Sequence, residues 1–255
     1  MRTLVFVLAI GLVVSLTTIG EAVQDKGMVL YYSFDEGMGK KVKDLSGNGF
    51  DGEISGNPQW VDGKFFKALC FTGVVNEYVQ IKEILPIGST DSTVAMWIKV
   101  PKTAAGRVGI LLGNYPDVPN SNWEIHAKGE MRIWWNNGHP DIKAVTDLRD
   151  DEWHHLTFIR DKAKNRFAMY IDGKKEFELI ATAGDDIEFT TLHRVGGDNR
   201  GDNSPWLQAT IDELVIFDRV LSEDEIRDLM KSPVIIEDVR PSGKLGTVWG
   251  RIKNL

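Results

Sequence analysis

The sequence predicts an all-β protein, a sandwich, barrel or jelly roll, with one short helix near its C-terminal end. Three observations carry that expectation. Short β-branched and aromatic runs recur along the chain, bounded by Gly, Asn, Asp or Pro. Turn dipeptides such as Lys128-Gly129 and Asp172-Gly173 join neighbouring runs. A helical pattern stands out in one place, after Ser222.

The first run is Val29-Leu-Tyr-Tyr-Ser-Phe34, which ends in the loop Asp35-Glu36-Gly37-Met38-Gly39. The stretch from Asp44 to Gly52 is dense in residues that tolerate turns and positive φ. Strands are then expected over 65–71, 78–81, 94–100, 107–112, 123–127 and 130–135. Residues 94–100 alternate, with Val94, Met96 and Ile98 on one face and Ala95, Trp97 and Lys99 on the other. Residues 153–160 and 166–171 read as a hairpin, followed by strands over 175–179, 192–195 and 206–217. Ser222 and Glu225 form a capping box, Ile226, Leu229 and Met230 give the helix an apolar face, and Pro233 stops it.

The N-terminus addresses the compartment. Arg2 precedes an apolar run from Leu4 to Val14, and Gly20 and Ala22 put small residues at both specificity positions of a cleavage site. A secretory signal peptide over residues 1–22 is expected, cleaved after Ala22, which makes the protein secreted, periplasmic or cell-surface. The run is short for a membrane anchor, which needs roughly 20 apolar residues. The net charge of −7 disfavours non-specific nucleic-acid binding, which needs a basic face. Cys70 is the single cysteine, so the chain has no intramolecular disulfide. Its neighbours Leu69 and Phe71 suggest an inert thiol in a buried strand.

Seven blocks in order match a known pattern. They are Tyr32-Ser-Phe-Asp-Glu-Gly, Asp44-Leu-Ser-Gly-Asn-Gly-Phe-Asp-Gly, the Gly63–Gly73 stretch, Ala95-Met-Trp-Ile-Lys, Glu152-Trp-His-His-Leu-Thr, Met169-Tyr-Ile-Asp-Gly-Lys, and the run from Ile211 to Ile226. The chain resembles the LamG-like jelly-roll domains of the concanavalin A-like lectin/glucanase superfamily, secreted bacterial type. The resemblance implies one domain over 23–232, followed by a tail over 233–255. It implies a β-sandwich of two antiparallel sheets with first and last strands adjacent, use as a glycan-binding or adhesion module, and often a bound calcium. It does not fix a ligand, because one fold hosts many functions.

Calcium takes six to eight oxygen ligands. Asp35, Asn48, Asp51 and Asp212 are the candidate metal ligands, with Ser46 beside them and Glu36 and Glu213 as alternatives. The competing reading is that the loop residues only shape turns. A ligand face is expected around Trp123, Trp134, Trp135 and Asn137, with Tyr115 ahead of them and His126 within the hairpin. Asp198, Arg200, Asn203 and Trp206 complete it from a later loop. Sugars present an apolar C–H face to aromatic platforms and a hydroxyl rim to Asp, Asn and Arg. Any single Trp is more often core, and adjacent Trp134 and Trp135 point to opposite faces of a strand. His154 and His155 diverge for the same reason and read as framework rather than a zinc site.

The superfamily's glucanases carry Glu-x-Asp-x-x-Glu on one strand. No Glu in this chain has an Asp two residues later, so that motif is absent. There is no Gly-x-Ser-x-Gly elbow, P-loop or His-Glu-x-x-His either. The expectation is a non-enzymatic binding module, for carbohydrate with a structural calcium. A protein-binding or cell-surface adhesion domain is the alternative, and a glucanase-type hydrolase a weaker one.

Overall fold

The computed structural model describes residues 26–85, 90–105, 108–113, 121–135, 142–180, 192–197 and 206–234. The expected signal peptide and nearly all of the tail therefore lie outside the described residues. So do residues 114–120, 136–141 and 198–205.

Two antiparallel sheets of eight strands face each other. Sheet A runs in the order β14 (Lys174–Ile180), β13 (Arg166–Ile171), β12 (Trp153–Asp161), β7 (Ser92–Lys99), β16 (Gln208–Phe217), β5 (Lys67–Thr72), β4 (Gln59–Asp62). Its eighth strand, β1 (Met28–Tyr32), pairs with the far half of β16, Leu30 opposite Ile216. Sheet B runs β11 (Ile142–Lys143), β10 (Met131–Trp135), β9 (Ser121–Ile125), β8 (Gly109–Gly113), β15 (Leu192–Val195), β6 (Tyr78–Leu85), β3 (Gly52–Ser55), β2 (Lys41–Val42). The jelly-roll expectation holds, and the first and last strands are neighbours. β2, β3, β4 and β11 are additions, two to four residues each, too short to carry a periodic signal.

Period-two alternation builds the core. Val94, Met96 and Ile98 of β7, Leu156 and Phe158 of β12, and Leu69 and Phe71 of β5 point inward from sheet A. Val79, Ile81, Trp123, Ile125, Met131 and Ile133 meet them from sheet B. Each such side chain contributes about 1.5–3 kcal/mol when fully buried. Cys70 falls on the other side of that alternation. It is half-buried on the outer face of sheet A rather than part of the core.

A second apolar cluster lies on the outer face of sheet A. The helix α1 (Glu223–Leu229) buries Ile226 and Leu229 there, against Tyr31, Ala95, Ile159, Tyr170 and Phe217. Its capping box forms as the sequence predicts. Ser222 Oγ accepts from the Glu225 N–H, and the Glu225 carboxylate accepts from the Ser222 N–H.

Candidate functional site

The outer face of sheet B is polar, and register makes it so. Gln80 of β6, Arg194 of β15, Glu124 of β9 and Arg132 of β10 alternate with the inward residues already named. Arg194 lies opposite Gln80, and its Nε donates to Gln80 Oε1 at 2.9 Å. Its guanidinium carbon sits 4.0 Å from the centre of the Tyr78 ring. Tyr78 in turn stacks on Trp206, centroids 5.9 Å apart and planes within 20°. An arginine, an amide and two aromatic rings are thus held together from β6, β15 and the lead-in to β16. Further along, Arg132 Nη1 donates to Glu124 Oε1 at 3.0 Å. Glu124 is fully buried, so this second pair braces the sheet, whereas the half-buried Arg194, Gln80 and Tyr78 set directed polar groups beside an aromatic ring, a chemistry suited to hydroxyl-rich ligands.

Trp123 is not part of that face. It is 5% exposed and its ring lies 4.4 Å from that of Phe158, bridging the two sheets. Alternation gives the outward position to its neighbour Glu124. Trp206 is also buried, at 6%, so it supports Tyr78 from beneath instead of offering an open platform. Trp134 and Trp135 close β10, opposite Asn122 and Ser121. Tyr115, Asn137, Asp198, Arg200 and Asn203 lie outside the described residues. The Arg194–Gln80–Tyr78 group escaped sequence reasoning, because two segments more than a hundred residues apart build it and neither carries a local pattern.

The expected metal ligands divide between two places. Asn48 Nδ2 donates to the carbonyls of Met28 and Val29, at 3.0 and 2.9 Å. Asp51 Oδ1 accepts from the Asp44 N–H at 2.9 Å. Asn48 thus ties its loop to β1, and Asp51 braces the same loop internally. Asp212 and Glu213 sit elsewhere, at a β-bulge where β16 spends three steps against two of β7. Glu213 there has φ 54°. The bulge sends both carboxylates to the outer side. Asp212 Oδ2 accepts from the Phe65 N–H at 3.0 Å, and Glu213 Oε2 from the Tyr31 hydroxyl at 2.6 Å. The β4–β5 turn approaches so closely that a Cβ on Gly63 would lie 2.6 Å from Asp212 Oδ2.

Burial pushes the Asp212 carboxyl up to about 8, helped by the charges of Glu213 and Asp35. Burial likewise raises Glu213 to about 7, with Asp35 adding repulsion. Asp212 Oδ1 and Glu213 Oε1 are buried without a hydrogen-bond partner. Among the described residues, no three His, Cys, Asp or Glu side chains converge tightly enough to form a ready metal cage. Two orphaned carboxylate oxygens, with Asp35 close enough to repel them, nonetheless suit an oxygen-seeking cation.

The paired histidines part as alternation requires. His154 Nδ1 meets Asp172 Oδ2 at 2.7 Å and Nε2 meets Asp150 Oδ2 at 3.0 Å. The Asp172 hydrogen bond, then that of Asp150, raises His154 to about 9 against the opposing effect of burial. His155 is buried against Trp97, and burial lowers it to about 4.

The laminin G family model (Laminin_G_3) of the concanavalin A-like lectin/glucanases superfamily matches residues 72–227, more than half of the 255-residue chain. The chain belongs to this superfamily. It is 26% identical over 200 residues to botulinum neurotoxin type X of Clostridium botulinum, a match covering 73% of this chain and 14% of the neurotoxin. The chain therefore spans only a small part of that relative's length. The structure of the binding domain of Paraclostridial Mosquitocidal Protein 1 superposes with a TM-score of 0.64 at 20% identity, covering 80% of this chain and 52% of that one. Domain 4 of an extracellular arabinanase from Geobacillus stearothermophilus, solved in complex with arabinotriose, superposes with a TM-score of 0.62 at 22% identity. That match covers 79% of this chain and 97% of the arabinanase domain. At these identities the structural matches establish the shared fold.

Proposed function

We propose that this chain is a secreted, non-catalytic carbohydrate-binding module stabilised by a calcium ion. The observation that carries the reading is the match to nearly the whole of an arabinanase domain solved with arabinotriose. That likeness supports an oligosaccharide as the ligand class. The binding domain of the mosquitocidal protein, on the same fold, supports binding rather than catalysis. The absent Glu-x-Asp-x-x-Glu motif points the same way.

The contact surface in this reading is the outer face of sheet B. Arg194 and Gln80 supply directed hydrogen bonds to sugar hydroxyls, and Tyr78 supplies apolar surface backed by Trp206. Calcium is assigned to Asp212 and Glu213 with Asp35, where it would offset the mutual repulsion of these carboxylates at the junction of β1, β5 and β16. Its role is structural, tying the chain's first and last strands together. Secretion rests on the Arg2–Ala22 leader pattern. No described helix is long and apolar enough to cross a membrane.

The test is a glycan array probed with the full chain and with Arg194→Ala. Binding to a related set of oligosaccharides, weakened by Arg194→Ala, supports the reading. A blank array in the presence of calcium overturns it.

A further inference from the structure

A groove of about 290 Å³ opens on the outer face of sheet A, on the opposite side of the sandwich from Arg194 and Gln80. Register builds its floor. Lys99 of β7 lies opposite Thr210 of β16, and Thr210 lies opposite Cys70 of β5. All three point outward because Ile98, Ile211, Leu69 and Phe71 take the inward positions. Gln208 and Pro101 line the groove as well.

The groove is small beside typical ligand pockets of about 300–1,000 Å³. It has room for the end of an oligosaccharide but not for a folded partner. Its charge is unbalanced. Asp151, the acid at its edge, is already engaged: Oδ1 accepts from the Lys102 N–H at 3.1 Å, and Oδ2 lies 3.8 Å from Lys102 Nζ. Lys99 makes no ion pair or hydrogen bond among the described residues, in a chain whose net charge is −7. A half-buried lysine beside hydroxyl and amide groups, with Pro101 and Cys70 adding apolar lining, suits an anion carried on a sugar ring.

We propose that this groove is a second saccharide subsite, taking a carboxylate-bearing sugar. Lys99 pairs with the carboxylate. Thr210 and Gln208 bond ring hydroxyls, and the side chains of Pro101 and Cys70 cover the C–H face. The proposal rests on the carbohydrate-binding reading and adds a site and a ligand charge to it.

Cys70 is the chain's only cysteine and supplies the probe. The rate of its labelling by N-ethylmaleimide is measured on the full chain with uronate-terminated oligosaccharides and with their neutral counterparts. Binding of both sets is titrated by calorimetry. The uronates should slow labelling severalfold and saturably; the neutral sugars should not. Lys99→Met should keep the unprotected labelling rate, lose the protection, and weaken uronate binding about tenfold. Lys99→Gln serves as the second variant if Lys99→Met fails to fold. Uronates that bind without protecting Cys70, and bind both variants as well as the wild type, overturn the groove and leave the carbohydrate reading standing. Neutral sugars binding alone, with no uronate bound, also overturn the groove. An absence of binding to any saccharide overturns both.

Discussion

On the outer face of sheet A, the positions opposite the core carry Tyr31, Ala95, Ile159, Tyr170 and Phe217, and α1 lies across them. On the outer face of sheet B, the equivalent positions carry Gln80, Glu124, Arg132 and Arg194. Both sheets obey the same alternation, yet one outer face forms a second apolar cluster and the other an array of directed polar groups. The difference follows from what covers each. A face roofed by a helix must supply apolar contacts, whereas the other holds charge because each charge finds a partner, as buried Glu124 does in Arg132 and half-buried Arg194 does in Gln80. The proposed principal ligand surface lies on sheet B, and the proposed second subsite lies on the part of sheet A's outer face formed by β5, β7 and β16, whose lining includes no residue of α1.

The largest expected effect tests which side of sheet B a tryptophan occupies. Trp123→Ala should lower stability by about 3–5 kcal/mol, because it empties the contact with Phe158 between the sheets. A denaturant titration checks it. A loss below about 1 kcal/mol would return Trp123 to the surface.

Calcium comes next, at the bulge where sheet A departs from regular alternation. At a hundred times its dissociation constant, a bound cation adds about 2.7 kcal/mol. The melting temperature should rise in calcium and fall in chelator. Asp212→Asn removes a carboxylate that burial disfavours in its charged form. That variant should melt higher than wild type in chelator and respond less to calcium. Equal melts in calcium and chelator for the wild type would remove the metal from the account.

His154 gives a smaller, pH-dependent effect on the sheet A side. Its folded value of about 9 stands above the ordinary histidine value. The proton it holds therefore stabilises the fold fully below about pH 6.5, and that stability is lost as pH rises through about 9. Partial exposure limits the contribution to about 2 kcal/mol or less. His154→Gln should flatten the stability profile between pH 6.5 and 9, as followed by urea melts across that range. An unchanged slope would show that the two aspartates do not hold a charged ring.

The smallest effect on stability is also the most informative for binding. Arg194→Ala should cost about 1 kcal/mol of ligand affinity, the scale of one directed hydrogen bond, with little change in melting.

The sequence made the fold legible through strand runs and block order, because alternation is a local property. The capping box at Ser222 was readable for the same reason. The site was less legible. Trp123 and Glu124 are adjacent, and choosing which one faces outward needs the register of the whole sheet. Asp212 was recognisable as a carboxylate in a long apolar strand. The bulge that brings Glu213 to the same side depends on a positive φ that no residue type there announces. Cys70 looked like core because its neighbours are core, although a strand alternates. Asn48 and Asp51 were candidate ligands by composition, and their hydrogen bonds to the loop and to β1 could not be read from the sequence.

The most direct test of the central claim is a calorimetric titration of the full chain with arabinan-type and related neutral oligosaccharides, in parallel with Arg194→Ala. The account predicts saturable binding by the wild type and about fivefold to tenfold weaker binding by the variant, at an unchanged melting temperature. No heat of binding across the panel, or equal affinity for both proteins, would contradict it.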